Sequence, residues 1–323
     1  MITTGVAFGL SKSFLLLVII GIITTMNPSA GDVSPFLPLE QSLMADNVVD
    51  SERTSLFARY ALTASLVGSI GALCAGLPVV VARHFNYADQ TGRQAAFIIY
   101  GLAGFVLFFA YSQLSAKSRI RATKSDSALS PASRSIVFKL SALFSLDSLG
   151  GGFATQAIFA LWVFNKFGLS MESLGVVFFA AGTVAAFSSL AAVKIADRIG
   201  LVRTMVFTHI PASILLILVA LAPNAWVAMA LFILRGLLSQ MDVPVRTSYV
   251  MAVVAPAERA AAASITNVPR SLASALPPIA AGWMLDHSTF GWPLIICAAC
   301  KITYDLLLLK MFKDVRPPEE RNN

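Results

Sequence analysis

Residues 197–203 read Asp-Arg-Ile-Gly-Leu-Val-Arg, and this short polar segment carries the most specific signal for the fold. An apolar run over about 173–194 precedes it, and another over about 204–222 follows it. A helix needs about 20 mainly apolar residues to cross a bilayer, so each run is long enough to span one. The segment between them is too short and too charged to be anything but a turn at the membrane surface. We therefore expect two membrane helices joined by a tight polar loop.

The same pattern extends along the whole chain. Of its 323 residues, 57% are hydrophobic and only 13% are charged, whereas soluble domains are about a quarter charged. This composition excludes a soluble enzyme, a disordered protein and a disulfide scaffold. We predict an all-α polytopic membrane protein with nine transmembrane helices, over about 13–36, 58–82, 95–115, 137–164, 173–194, 204–222, 226–252, 262–285 and 291–312.

The basic residues predict the orientation in the cell (inner or plasma) membrane. The 24 Lys and Arg exceed the 17 Asp and Glu, and most of them stand in short loops on the side that holds the C-terminus. Arg246 is assigned to the basic residues on this side of the membrane. Cytoplasmic loops carry an excess of Lys and Arg, so we expect a cytoplasmic C-terminus. Positive charge in such short loops indicates a lipid bilayer as partner and not a nucleic acid.

A long polar stretch divides the chain. Residues 115–135 are rich in Ser, Lys and Arg, and they predict a cytoplasmic linker between helical parts at 1–114 and 136–323. Glu52-Arg53 opens the second predicted span and Glu258-Arg259 opens the eighth, with a glycine 24 residues after each Glu. This similarity indicates an internal parallel repeat, although chance recurrence of small residues also explains it. A true repeat would pair the first three spans with the last three and leave the middle three without partners.

With linker, repeat and loop together, the chain resembles a major facilitator superfamily transporter. Residues 197–203 are similar to the family's cytoplasmic loop between two helices, although Val193 stands where that pattern has a glycine. The resemblance implies two six-helix halves, of which this chain holds the equivalents of helices 4–12. It further implies that 1–114 is the remnant of a half whose first three helices are missing, and that 136–323 is a complete half.

The resemblance also implies a function. We expect a secondary active transporter that moves a small solute by alternating access, coupled to protons, without a cofactor, a metal or an enzymatic activity. The alternative is a truncated fragment that does not transport. In the family, charged cytoplasmic residues hold the halves together in one state, although ordinary cytoplasmic positive charge explains the same residues. The gate candidates are Asp197, Arg198, Gly200, Arg203, Glu258, Arg259, Glu52 and Arg53.

Charged residues inside the predicted spans are the candidates for the transport site. Inserting a charged residue near the centre of a membrane helix costs about 2.5–3.5 kcal/mol of free energy, so we expect these residues to face a cavity or one another. Asp147 stands first, because three glycines follow it and would allow close helix approach or local unwinding. It either couples ions or binds solute, or it only bonds to a neighbouring helix. Asp242 and Arg246 are four residues apart, so they are expected to pair and neutralise each other.

The remaining candidates have weaker support. Asp32 lies in a proline-broken stretch that would line a transport site, or it pairs with an arginine at the membrane surface. Arg235 has no local partner and suits an anionic group of the solute, while Arg270 would bind an anion or gate the inner side. Lys301 and Asp305, four residues apart, are predicted to form an ion pair within their helix. Gln156 is a weak candidate for orienting the solute.

Overall fold

The computed structural model describes residues 1–23, 37–113, 129–169, 171–315 and 317, and within these ranges every regular element is helical. The α-helices are α1 Ile2–Leu10, α2 Phe14–Ile23, α3 Leu37–Asp46, α4 Arg53–Cys74, α5 Leu77–His84, α6 Asp89–Ser112, α7 Pro131–Phe153, α8 Gln156–Phe167, α9 Met171–Ile199, α10 Leu201–Ala220, α11 Ala225–Ser239, α12 Asp242–Ala252, α13 Arg259–Ala275, α14 Pro277–His287 and α15 Trp292–Phe312. Short 3₁₀ turns at Asp50–Glu52 and Pro256–Glu258 precede α4 and α13.

The described residues contain six helical segments that are long and apolar enough to cross a membrane. The all-α membrane class is thereby confirmed, but the predicted number of nine spans is not. The six segments are Asp50–His84, Asp89–Ala110, Pro131–Phe167, Ser173–Ile199, Leu201–Ala220 and Ala225–Ala252.

The three other predicted spans are not among the six segments. Much of the first, 13–36, lies outside the described residues. The span predicted over 262–285 is divided at Leu276 into α13 and α14, because Pro277 supplies no backbone N–H, and α13 also carries Arg270. The last one forms a continuous helix, α15, which carries Lys301 and Asp305 and is not among the six segments.

Three of the six spans are broken in their interior, and the first break falls between α4 and α5 at Ala75 and Gly76. Between α7 and α8 the chain leaves helical geometry at Ala154, and Thr155 restarts it by accepting a hydrogen bond from the backbone N–H of Ile158 at 3.3 Å. Between α11 and α12 a further break falls at Gln240 and Met241. In secondary transporters such discontinuous helices supply backbone groups and side chains to the binding site.

The glycines after Asp147 permit close helix approach, as the sequence predicts. A Cβ on Gly150 would lie 2.8 Å from the Cβ of Cys300 on α15, and one on Gly152 would lie 2.7 Å from the carbonyl oxygen of Ser274 on α13. Gly151, between them, faces open space. Two of the three glycines therefore let α7 pack directly against α15 and α13.

Helix packing connects the two sides of the predicted linker. The most extensive contact in the described residues joins α4 to α9, and α4 also packs on α12 while α3 packs on α13. Within the C-terminal part, α7 packs on α13 and α15, and α10 packs on α11 and α15. Many large apolar side chains remain exposed, such as Phe108 on α6 and Trp226 on α11, which is the surface expected against lipid.

Candidate functional site

Asp147 lies at the centre of a group of buried charges. Its side chain is only 5% exposed, and each carboxylate oxygen has a cationic partner from another helix. Arg246 of α12 donates to Oδ2 at 3.0 Å, and Lys301 of α15 donates to Oδ1 at 2.6 Å. One carboxylate thus links α7, α12 and α15. We call these residues, with the three described next, the Asp147 cluster: Asp147, His209, Asp242, Arg246, Lys301 and Asp305.

The predicted pairing of Asp242 with Arg246 is present, with 3.2 Å between Nη1 and the carboxylate. The pair is not self-contained, however, because the same Nη1 also contacts Asp147. Arg246 is 6% exposed, and its guanidinium lies over the ring of Phe144 at 5.4 Å. The expectation that Arg246 is one of the surface charges on the cytoplasmic side is therefore wrong. The tertiary fold carries it inward because a buried carboxylate on α7 stabilises its charge.

The predicted ion pair between Lys301 and Asp305 is also wrong. Although the two residues share a face of α15, each has a partner on another helix, and they are not within ion-pair distance in the described structure. Lys301 pairs with Asp147, and Asp305 pairs with His209 of α10. Partners on other helices have replaced the local pair because tight packing brings their charges closer than the helical register does.

His209 is the member of the cluster that sequence reasoning missed. Its Nδ1 lies 3.0 and 3.1 Å from the two oxygens of Asp305, and its Nε2 lies 3.4 Å from Nζ of Lys301. The ring is 3% exposed and Asp305 is fully buried. One feature of the sequence could have revealed it: His209 is a single histidine within the apolar run 204–222, and a titratable side chain inside a membrane helix usually has a function.

The partners of His209 determine which ring nitrogen carries hydrogen. A lysine ammonium only donates, so Nε2 must accept from Lys301 with its lone pair. The hydrogen of the neutral ring therefore lies on Nδ1, where it is donated to the carboxylate of Asp305. The hydrogen-bond chain runs from Asp305 through His209, Lys301 and Asp147 to Arg246 without two donors or two acceptors facing each other.

Arg235 and Arg270 lie in the same region with less compensation. Nε of Arg270 donates to Oγ of Ser148 at 3.1 Å, and Nη1 donates to Oδ1 of Asn267 at 3.3 Å, both neutral partners. Nε of Arg235 is buried without a hydrogen-bond partner. Neither guanidinium has a carboxylate within ion-pair distance in the part of the chain that the structure describes. These two half-buried cations can therefore receive an anionic group.

Two further candidates lie elsewhere. Gln156 is exposed at the start of α8, and no hydrogen bond joins it to the Asp147 cluster in the described structure. Asp32 lies outside the described residues.

A second set of polar contacts surrounds the start of α13. Arg259 is 7% exposed and donates to the carboxylate of Asp46 at 2.7 Å, to the carbonyl of Ala45 at 3.2 Å and to the carbonyl of Met251 at 3.1 Å. It thereby ties α3, on one side of the predicted linker, to α12 and α13 on the other. We call these contacts of Arg259 the end clamp.

Glu258, the neighbour of Arg259, holds the start of α7. It accepts from Oγ of Ser133 at 2.5 Å and from the backbone N–H of Ser130 at 2.6 Å. These hydrogen bonds, that of Ser133 first, lower the pKa of Glu258. The carboxylate is therefore charged over the physiological range while it anchors the helix.

The other gate candidates make less contact. Arg53, the counterpart of Arg259 in the predicted repeat, is buried and pairs with Asp50, whereas Glu52 is exposed. Gly200 has a φ of +86°, so glycine is needed there to turn the chain into α10. Asp197, Arg198 and Arg203 are exposed, and no ion pair joins them to another described residue. A gate role for this loop stays a prediction.

Comparison with known proteins decides the family. The family model described as Major Facilitator Superfamily matches residues 140–323, which is more than half of the chain. The chain belongs to the Major Facilitator Superfamily. The predicted resemblance is thereby confirmed, and the chain has the fold of a membrane transporter.

Individual proteins are similar to this chain over most of its length. The uncharacterized membrane protein YJR124C of Saccharomyces cerevisiae is 25% identical over 349 residues, covering 98% of this chain and 78% of that protein. The human organic anion transporter MFSD10 (TETRAN) superposes with a TM-score of 0.62 at 18% identity, over 96% of this chain and 73% of that one. The proton:xylose symporter XylE, bound to 6-bromo-6-deoxy-D-glucose, gives a TM-score of 0.63 at 14% identity over 87% and 69%. Both structural likenesses concern the fold.

Proposed function

We propose that this chain is a secondary active transporter that moves a small solute across the cell membrane by alternating access, with proton coupling. In this proposal the C-terminus is cytoplasmic, residues 115–135 link the two helical parts in the cytoplasm, and symport and antiport are both open. The observation that carries the proposal is the sharing of one buried carboxylate, Asp147, by cations from two other helices.

Energetics favour a functional role for this arrangement. Taking charges out of water costs several kcal/mol per ion, and replacing a buried ion pair by apolar residues is often neutral or stabilising. Buried charges in membrane helices accordingly mark substrate or ion pathways. The Asp147 cluster lies beside two interrupted membrane segments, at which backbone groups are free to contribute to binding.

The charge balance favours a solute with an anionic group. The Asp147 cluster holds the carboxylates of Asp147, Asp242 and Asp305 and the cations Arg246 and Lys301. Arg235 and Arg270 add two cations without carboxylate partners in the described structure. Arginine suits this role because its planar donors match a carboxylate or phosphate. One structural neighbour is an organic anion transporter, which is compatible with this substrate class.

The end clamp supports alternating access. Contacts of Arg259 with α3, the bond between Thr54 and Ser248 at 2.7 Å and the bond between Gln41 and Asn267 at 3.1 Å all join the parts on either side of the predicted linker. Rocking of one part against the other would break and remake such contacts and would change the accessibility of the candidate site.

Reconstitution tests this function. The purified chain is placed in liposomes with a trapped pH-sensitive dye, and small carboxylates, phosphates, amino acids and sugars are added outside. We expect at least one anionic solute to change the internal pH, and Asp147→Asn to abolish the change. Asp286→Asn, an exposed carboxylate at the end of α14, is the matched control and should transport normally.

Two results would contradict the proposal. Absence of solute-driven proton movement with every compound would favour the alternative of a non-transporting fragment. Undiminished transport by Asp147→Asn would show that the Asp147 cluster is not the site.

A further inference from the structure

His209 lies beside the ion pair between Lys301 and Asp147, and a proton added to its ring would affect that pair. Its Nδ1 is bonded to Asp305, and its Nε2 accepts from Lys301, which in turn bonds to Asp147. We propose that the pair His209–Asp305 is a proton-binding site distinct from Asp147, and that its protonation weakens the ion pair between Lys301 and Asp147. The coupling of this site to solute movement rests on the proposed function, but the site itself does not.

The atom that can bind a further proton is Nε2 of His209, which carries a lone pair and no hydrogen in the neutral ring. Both oxygens of Asp147 already face cations, so a proton there would leave Arg246 and Lys301 competing for a neutral group. Asp305 accepts from Nδ1, and a proton on it would put two hydrogens into that contact. In the series of hydrogen bonds from Asp305 to Arg246, the contact of Nε2 with Nζ of Lys301 is the longest, at 3.4 Å.

Binding at Nε2 has a direct consequence. The proton comes from water and forms one N–H bond, and no covalent bond breaks. The ring becomes a cation that no longer accepts from Lys301, and two positive charges then face each other. The new N–H has another acceptor available, because Nε2 lies 3.9 Å from Oδ1 of Asp147, the oxygen that Lys301 occupies. The imidazolium and the ammonium therefore compete for one oxygen.

The surrounding charges can stabilise the added proton. The six residues of the Asp147 cluster hold three carboxylates and the two cations Arg246 and Lys301 when the ring is neutral, so a proton on the ring balances the charges within the cluster. Arg235 and Arg270 lie outside the cluster and remain available to an anionic group of the solute. Other titratable or charged groups lie on the helices around α10. They are Asp147 of α7, Arg235 of α11, Asp242 and Arg246 of α12, and Lys301, Tyr304 and Asp305 of α15, while the charged residues of α9 stand at its ends.

Nuclear magnetic resonance of the imidazole nitrogens tests the site without any transport measurement. The chain has three histidines, and His84 and His287 are exposed, so the purified full chain with His84→Gln and His287→Gln leaves His209 as the single observed ring. At alkaline pH we expect the hydrogen on Nδ1 and a free lone pair on Nε2, and on acidification a doubly protonated ring. Hydrogen on Nε2 at alkaline pH, or a ring that stays neutral down to about pH 5, would overturn the proposal.

Two variants in this background identify the controlling groups. Asp305→Asn removes the anion beside the ring, and we expect the protonated fraction of His209 at a fixed, mid-titration pH to fall at least tenfold. Lys301→Gln removes the opposing cation, and the protonated fraction should rise. Opposite effects are expected only if the intact network sets the proton affinity. If both variants changed the protonated fraction in the same direction, Lys301 would not control the protonation of His209. The position of the hydrogen on the ring, measured in the chain with only His84→Gln and His287→Gln, tests the proton site independently.

Failure of the two proposals can be told apart. A titrating His209 with the expected tautomer in a chain that moves no solute would retain the proton site and remove the transport function. Proton-coupled transport by a chain whose His209 never titrates would do the reverse.

Discussion

Asp147→Asn should be one of the most destabilising isosteric changes in the chain. The substitution keeps the size of the side chain but removes the charge that faces Arg246 at 3.0 Å and Lys301 at 2.6 Å. Removing one partner of a buried ion pair costs about 3–5 kcal/mol, because the remaining charge is left uncompensated. Arg246 retains Asp242 at 3.2 Å, so the main loss falls on Lys301.

The matched comparison is Asp242→Asn. Asp242 has a single ionic contact, to Arg246, which keeps Asp147 when Asp242 is neutralised. Its loss should cost about 1.5–3 kcal/mol, the value of one hydrogen bond to a charged group. The double variant Asp147→Asn, Lys301→Met removes both the acceptor and the cation that lost it. It should therefore be more stable than Asp147→Asn alone by at least about 1 kcal/mol.

The assay is reversible unfolding in mixed micelles with an increasing fraction of denaturing detergent, followed by the helical circular dichroism signal. A double-mutant cycle then gives the coupling between Asp147 and Lys301. The reasoning is refuted if Asp147→Asn costs no more than Asp242→Asn, or if the effects of Asp147→Asn and Lys301→Met simply add.

Three further changes test the end clamp, the hydrogen bonds of Glu258 at the start of α7 and the close helix approach. Arg259→Ala should lower the free energy of unfolding by about 1.5–3 kcal/mol in the same assay, because the charged hydrogen bonds of Arg259 to α3 are lost. An unchanged free energy of unfolding would show that the end clamp does not stabilise the fold. Because Ser133 lowers the pKa of Glu258, the stability that this contact contributes should be present above the ordinary glutamate pKa of about 4.3 and lost as the pH falls through the lowered value. Glu258→Gln should reduce that pH dependence in thermal unfolding, and an identical pH profile would contradict the assignment. Gly152→Val should destabilise by about 1–3 kcal/mol through overpacking, whereas Gly151→Ala should be tolerated; equal effects would contradict the packing described.

Local features of the chain were predictable from sequence. Apolar runs of about 20 residues indicate membrane helices regardless of how those helices pack. The pairing of Asp242 with Arg246 follows from helical spacing, and the turn at Gly200 follows from a glycine between two apolar runs. The loop 197–203, with the linker and the repeat, was enough to indicate the family.

The contents of the candidate site were only partly predictable. Asp147 was singled out as a charge that a membrane helix would not carry without a partner, and the structure supplies two partners. The same reasoning placed Arg246 outside the membrane, because a basic residue near a helix end is ordinarily a surface charge. His209 escaped notice because a lone imidazole in an apolar run has no pattern that reveals its partner.

The sequence by itself determined that this chain is a bundle of membrane helices with a few charges that must be buried, since hydropathy and helical period are local properties. Only the tertiary structure decided how those charges pair. Lys301 meets Asp147 and Asp305 meets His209 across separations of 154 and 96 residues, so no helical spacing could reveal them. The pairing is decided where α7, α10, α12 and α15 converge, because in a low-dielectric interior each charge takes the partner that packing brings nearest.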